Sequence, residues 1–223
     1  LGSSSKKFLT NFPSTEKIKI KTTESFILSG IDKNTSSDTY IQVVTKNSSG
    51  ATIDTFKIEA TNANKRYDFG AGCLNFSNLI SGDMNSANAG TLPIIISTVD
   101  TYEVTVADGG VGTMSETLTF EIDRKSHDYS TRFHWLNRLG GFDSWTFDGA
   151  YSRGQNQSKA LYEKNLDYSF NIYDSETGIN AVESKNTFAS YSGLLSEGKR
   201  KWLEELYTSP EVYVVEGGNY VPI

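Results

Sequence analysis

Apolar residues recur at every second position along most of the first half of the chain, the period of a half-buried strand. "KIKIKT" (17–22) alternates Ile18 and Ile20 with lysines, and "ESFILSG" (24–30) reads as a continuation of the same strand. "TYIQVVT" (39–45) and "TIDTFKIEA" (52–60) flank "KNSSG", a polar five-residue connection that predicts a hairpin. In the second of these strands the apolar phase slips between Ile53 and Phe56, which predicts a bulge near Asp54–Thr55. "TYEVTVA" (101–107) places Tyr102, Val104 and Val106 on one face, and "ETLTFEI" (116–122) does the same with Leu118, Phe120 and Ile122. Between them, the Gly-rich "DGGVGTMS" turns the chain back. Strands punctuated by turn signals, with Thr, Ser and Asn in the polar phase, predict a β-sandwich over residues 1–123, immunoglobulin-like or jelly-roll-like. The stretch 81–90, "SGDMNSANAG", is low in apolar residues and reads as a loop.

A second β-rich unit, sandwich- or barrel-like, is expected over residues 124–223. It holds "STRFHWL" (130–136), "DSWTFDG" (143–149) and "LDYSFNIYD" (166–174), where Tyr168, Phe170 and Ile172 alternate. In "EVYVVEGGNYVPI" (211–223), "EGGN" reads as a tight hairpin turn. One helix is legible near 196–208, with Ser196 as N-cap, Glu197 in the first turn and Trp202, Leu203 and Leu206 on one stripe. Ser209-Pro210 ends it, and its expected place is over one open end of a β-unit. "NYVPI" reads as a strand with an open edge, which invites another chain. The fold class is therefore all-β, mainly antiparallel, with one short helix.

"WLNRLGGFDSWTFDG" (135–149) reads as strand, turn, strand, with Gly140 and Gly141 at the reversal and Asn137 bonding neighbouring backbone. Its aromatics have two readings, a packed corner or an exposed patch. On the second reading the candidate interface residues are Trp135, Arg138, Phe142, Trp145, Tyr213 and Tyr220, with Arg138 as an anchor beside the aromatics.

Composition narrows the function classes. The 223 residues carry 21 Lys+Arg and 27 Asp+Glu, a net charge of −6, and neither half is basic (−4 for residues 1–123, −2 for 124–223). Such a chain lacks the basic stripe a general nucleic-acid binder needs. No apolar run is long enough to span a bilayer, so no membrane insertion is expected. Cys73 is alone and reads as a small core residue.

Candidate chemistry is sparse. "DKNTSSD" (32–38) spaces oxygen ligands like the opening of a calcium loop, but Ser37 replaces the turn glycine and Val43 the bidentate Glu, so it reads as a turn. The two histidines, His127 and His134, form no zinc pattern with one distant Cys. Nucleophile elbows and phosphate cradles are absent; "FGAGCLNF" (69–76) has Gly70 and Gly72 but no third Gly and no Lys-Ser/Thr. A glycan-cleaving carboxylate pair, Asp143 and Asp148 beside the tryptophans, is the remaining enzymatic route, with Asp143 as a turn acceptor the simpler reading. No catalytic residue, cofactor or metal is expected.

"FHWLNRLGGFDSWTF" and "KRKWLEELYTSPEVYVVEGGNYVPI" together resemble segments of bacteriophage virion proteins, especially tail- or baseplate-associated ones. The resemblance covers about residues 124–223. It rests on a helix–strand junction made here by Trp202, Leu203, Leu206, Ser209, Pro210, Val212 and Tyr213. It implies a non-enzymatic structural subunit of a virion or tail-like assembly, with copies of itself and other virion or assembly proteins as partners. The alternative is an extracellular or cell-surface adhesion or carbohydrate-binding module, whose partner would be a host-surface glycan.

Overall fold

The computed structural model describes residues 7–31, 39–59, 66–84, 88, 90–108, 112–113, 115–165 and 177–223. The first half contains β1 (Lys7–Phe8), β2 (Lys17–Lys21), β3 (Ile27–Ile31), β4 (Thr39–Lys46), β5 (Thr52–Glu59) and β6 (Arg66–Gly70). A short helix, α1 (Cys73–Ser77), follows, then β7 (Thr101–Asp108), β8 (Gly112–Thr113) and β9 (Leu118–Asp123). These strands form two sheets. One has the order β1-β3-β6; the other runs β2-β9-β7-β4-β5, with β8 paired to β7. All the pairings are antiparallel except β2 with β9, which is parallel.

Burial follows the period-2 pattern. Ile18, Ile20, Tyr102, Val104, Val106, Leu118 and Phe120 are all buried, and Phe120 stacks on Tyr102 with ring centroids 4.8 Å apart. Phe26 meets the edge of Phe120 at 5.2 Å, and the Tyr102 hydroxyl donates to Ala71 O at 2.8 Å. Cys73 is buried, and desolvation pushes its thiol up to about 11, as befits a packed core residue.

Two local expectations shift. Residues 24–30 do not continue β2. Glu24 N–H donates to Lys21 O and Lys21 N–H to Glu24 Oε2, a turn that carries the chain into the other sheet. The bulge in β5 falls at Ile53, because Thr45 faces Asp54 and Lys46 faces Thr52. The "KNSSG" hairpin forms as expected, with Asn47 Oδ1 accepting from Ser49 and Ala51 N–H. Residues 32–38, the calcium-like stretch, and 166–174 lie outside the described residues, as do 85–87 and 89 of the 81–90 loop.

The second half contains β10 (Thr131–Leu136), β11 (Phe142–Phe147), β12 (Tyr151–Glu163), β13 (Thr177–Ser190), α2 (Glu197–Thr208), β14 (Val212–Glu216) and β15 (Asn219–Pro222). An antiparallel sheet runs β11-β10-β14-β15, with β15 at its edge and Gly217 and Gly218 at positive φ in the final hairpin. Ser196 caps α2 by accepting from Lys199 N–H at 3.2 Å. The helix lies on one sheet face through Trp202, Leu203 and Leu206.

Among the described residues β12 and β13 pair only with each other and form a long ribbon. No period-2 apolar pattern marks residues 151–163, so the sequence reading leaves β12 out. The apolar core is continuous across residue 123, from Phe8, Phe12 and Leu28 to Trp135, Trp202 and Val214. The fold is all-β in its architecture, sandwich-like and mainly antiparallel.

Candidate functional site

The turn between β10 and β11 is organised by Asn137. Its Oδ1 accepts from Leu139 and Gly141 N–H, both at 3.0 Å, and its Nδ2 donates to Leu9 O at 2.7 Å. Gly140 supplies the left-handed step at φ +81°. Gly141 abuts β1, where an added Cβ would lie 2.3 Å from Leu9 O. The turn therefore also docks the second half of the chain onto the first.

Strand parity separates the six candidate interface residues. Phe133, Trp135, Asp143, Trp145 and Phe147 share one face, where Trp202 of α2 lies 5.0 Å from Trp135 and 5.7 Å from Trp145, centroid to centroid. Phe12 meets Trp202 at 4.9 Å with planes at 90°. Trp135 is 0% exposed and Trp145 7%. These two tryptophans are thus core residues and not partner contacts, because α2 covers the face they occupy.

The opposite face carries Arg132, His134, Phe142, Tyr213 and Tyr220. His134 stacks on Phe142 at 4.8 Å and approaches Tyr220 at 5.0 Å, with Tyr213 6.4 Å from Tyr220. Phe142 and Tyr213 are half-buried, and Tyr220 is exposed on the edge strand. Three of the six candidates therefore converge on one aromatic face, with His134 at its centre. Arg138 is exposed in the turn, where its Nη2 lies 3.5 Å from Thr208 Oγ1.

Buried polar groups knit these layers together. Arg132 donates to Glu24 Oε2 at 3.0 Å, Thr146 Oγ1 at 2.8 Å and Ser25 O at 2.6 Å, tying β10 to the turn after β2. Burial, with Arg132 nearby, pulls His134 down to about 4, so its ring is neutral at pH 7 and its Nδ1 sits 2.6 Å from Ser144 Oγ. Burial pushes Asp143 up to about 6, against the opposing effect of hydrogen bonds such as that from Trp202 Nε1. Asp143 and Asp148 have separate partners: Asp143 bonds Trp202 in the interior, and Asp148 pairs with Lys21 at 2.8 Å.

The ribbon is a surface that sequence reasoning missed. Every residue of β12 is exposed. Leu161 (61%), Tyr162 (49%), Ile179 (55%) and Val182 (52%) stand open to solvent in its outer half. At its base, Phe188 meets Phe133 edge-on at 6.2 Å, and Arg153 lies 4.7 Å from the Phe188 ring and ion-pairs with Glu216. A groove of about 960 Å³ runs there between the ribbon, β14–β15 and α2. Among the described residues no helix is long and apolar enough to cross a membrane.

No family model matches the chain, and no curated protein matches it.

Proposed function

We propose that the chain is a non-enzymatic structural subunit of a virus particle or tail-like assembly, joined to copies of itself and to other virion proteins. The observation that carries this reading is the β12–β13 ribbon. A lone two-stranded ribbon is marginal in water. This one extends 13 pairs and leaves large apolar side chains uncovered at its outer end. Covering apolar surface stabilises an interface by roughly 25 cal/mol per Å² removed from water, and a neighbouring subunit is a natural cover. The edge strand β15, with Tyr220 and Val221 exposed and Ile223 exposed just after it, offers a second contact through main-chain pairing. The virion setting draws on the resemblance of residues 124–223 to phage tail and baseplate segments.

The test is to replace residues 152–189 with a short Gly/Ser linker. Tyr151 and Ser190, the residues left on either side, are cross-strand partners, so a short linker closes the gap without strain. The expected result is a folded monomer, by circular dichroism and light scattering, whose rings, tubes or fibres are gone in negative stain. Assembly indistinguishable from the intact chain would overturn the reading. Trimming residues 211–223 is not a usable alternative, because β14 is paired on both sides and carries buried Val214.

The half-exposed aromatic face supports the second reading, an adhesion module for a host-surface glycan, since sugars stack on such rings. Trp145 is buried, so the relevant variant is Tyr220→Ala. A glycan-array hit lost in Tyr220→Ala would favour that reading over assembly.

A further inference from the structure

We propose that Asp123, His127 and Asp148 form a binding site for a divalent transition ion of the zinc type, at the seam between the N-terminal sandwich and the C-terminal sheet. Asp123 ends β9, His127 lies in the link to β10, and Asp148 follows β11. One ligand atom from each lies within 4.8 Å of the other two. His127 Nε2 is 2.9 Å from Asp123 Oδ2 and 3.9 Å from Asp148 Oδ2. Zinc bonds of about 2.0–2.2 Å in tetrahedral geometry set ligand atoms roughly 3.4 Å apart, so this triangle closes with small side-chain shifts.

The geometry favours an ion over a simple hydrogen-bonded cluster. The imidazole nitrogen can bond one carboxylate, and at 3.9 Å Asp148 Oδ2 is outside hydrogen-bond range of it. An ion among the three atoms engages all of them. Asp123 is already oriented for this, since Lys125 N–H donates to its Oδ1 at 2.9 Å and leaves Oδ2 facing the ring. All three residues are half-buried, open enough for entry yet partly desolvated.

Lys21 Nζ sits 2.8 Å from Asp148 Oδ1 and 2.7 Å from Ser130 Oγ. The Lys21 ammonium is the cation held against Asp148, while Lys19 acts on Asp123 from a distance. Lys21 is therefore the competitor of any cation at this site. The imidazole ligand selects zinc-like ions over calcium and magnesium, which prefer oxygen alone. Sequence spacing could not show this site, because Asp148 joins the other two only when β11 packs against β2, the strand paired with β9. The inference stands apart from the assembly role.

The test uses the full chain after EDTA treatment, titrated with ZnCl₂ by calorimetry and by thermal melting, with MgCl₂ as control. One zinc per chain is expected, with Tm raised by about 5 °C at a hundredfold excess over Kd and no shift from magnesium. His127→Ala and Asp148→Asn abolish both signals, and circular dichroism in EDTA establishes that each variant is folded. Lys21→Met removes the competing ammonium, keeps all three ligands and tightens binding several-fold. No saturable zinc binding, binding that survives His127→Ala, or equal or weaker binding in Lys21→Met would each overturn the proposal. So would a zinc absorption edge showing sulfur in the ligand shell, which would point to Cys73.

Discussion

The indole Nε1 of Trp202 donates to Asp143 Oδ2 at 2.8 Å, a buried bond that joins α2 to β11 beneath three aromatic rings. It makes one residue both a packing element and the partner of a desolvated carboxyl. Trp202→Phe keeps most of the ring contacts but removes one of the buried hydrogen bonds to Asp143, and should lower stability by about 1–3 kcal/mol. Trp202→Ala also opens a cavity and should lower it by about 3–5 kcal/mol. Urea denaturation of the three proteins gives the ranking; a Trp202→Phe variant as stable as the intact chain would mean that the hydrogen bond contributes nothing.

Asp143 also predicts a pH dependence. Its folded pKa is raised to about 6, above the ordinary carboxyl value, so the folded state holds the proton more tightly than the unfolded chain. Its stabilising contribution is present below the unfolded pKa and is lost as pH rises through 6, by on the order of 2–3 kcal/mol. Asp143→Asn keeps an acceptor for Trp202 and cannot ionise. Its stability relative to the native chain should therefore rise between pH 4 and 7.5, and a flat difference over that range would refute the assignment.

His134 acts with the opposite sign. Its folded pKa is lowered to about 4, so its contribution is complete above the ordinary imidazole value and is lost as pH falls toward 4. The expected loss between pH 7 and 4 is on the order of 2–3 kcal/mol. His134→Gln should flatten the acid side of the stability profile measured by denaturant unfolding.

Arg132 is buried with Glu24, 108 residues earlier in the chain. Arg132→Met leaves that carboxylate without its main partner and should destabilise by about 3–5 kcal/mol. Adding Glu24→Gln removes the stranded charge and should recover part of the loss, as a double-mutant cycle would read directly.

The Gly140–Gly141 pair separates two kinds of glycine requirement. Gly140→Ala meets no atom within 4 Å but holds φ at +81°, a penalty of about 1–2 kcal/mol. Gly141→Ala drives its Cβ to 2.3 Å from Leu9 O, so the turn must leave β1. Thermal melts should show the larger loss at Gly141, the glycine without the unusual φ.

Much of the fold is legible in the chain itself. Tyr102, Val104 and Val106, and likewise Leu118, Phe120 and Ile122, line single buried faces because a strand against one core alternates its side chains. "KNSSG", "EGGN" and the Ser196 cap act over a few residues, and each produced the hairpin or helix end it signals. The candidate site was only half visible, for the same physical reason inverted. β10 is covered on both faces, so both phases, Phe133 and Trp135 on one, Arg132 and His134 on the other, are buried, and alternation cannot say which aromatics meet solvent. β12 is exposed on both faces and is held by its ladder to β13, so it has no apolar period to read. Local rules settled which segments extend, turn or coil. Packing between distant segments alone decided that α2 would take Trp135 and Trp145 into the core. It also brought Glu24 to Arg132 and gathered Asp123, His127 and Asp148, since contacts between separate strands and sheets depend on how those sheets stack and leave no spacing in the sequence.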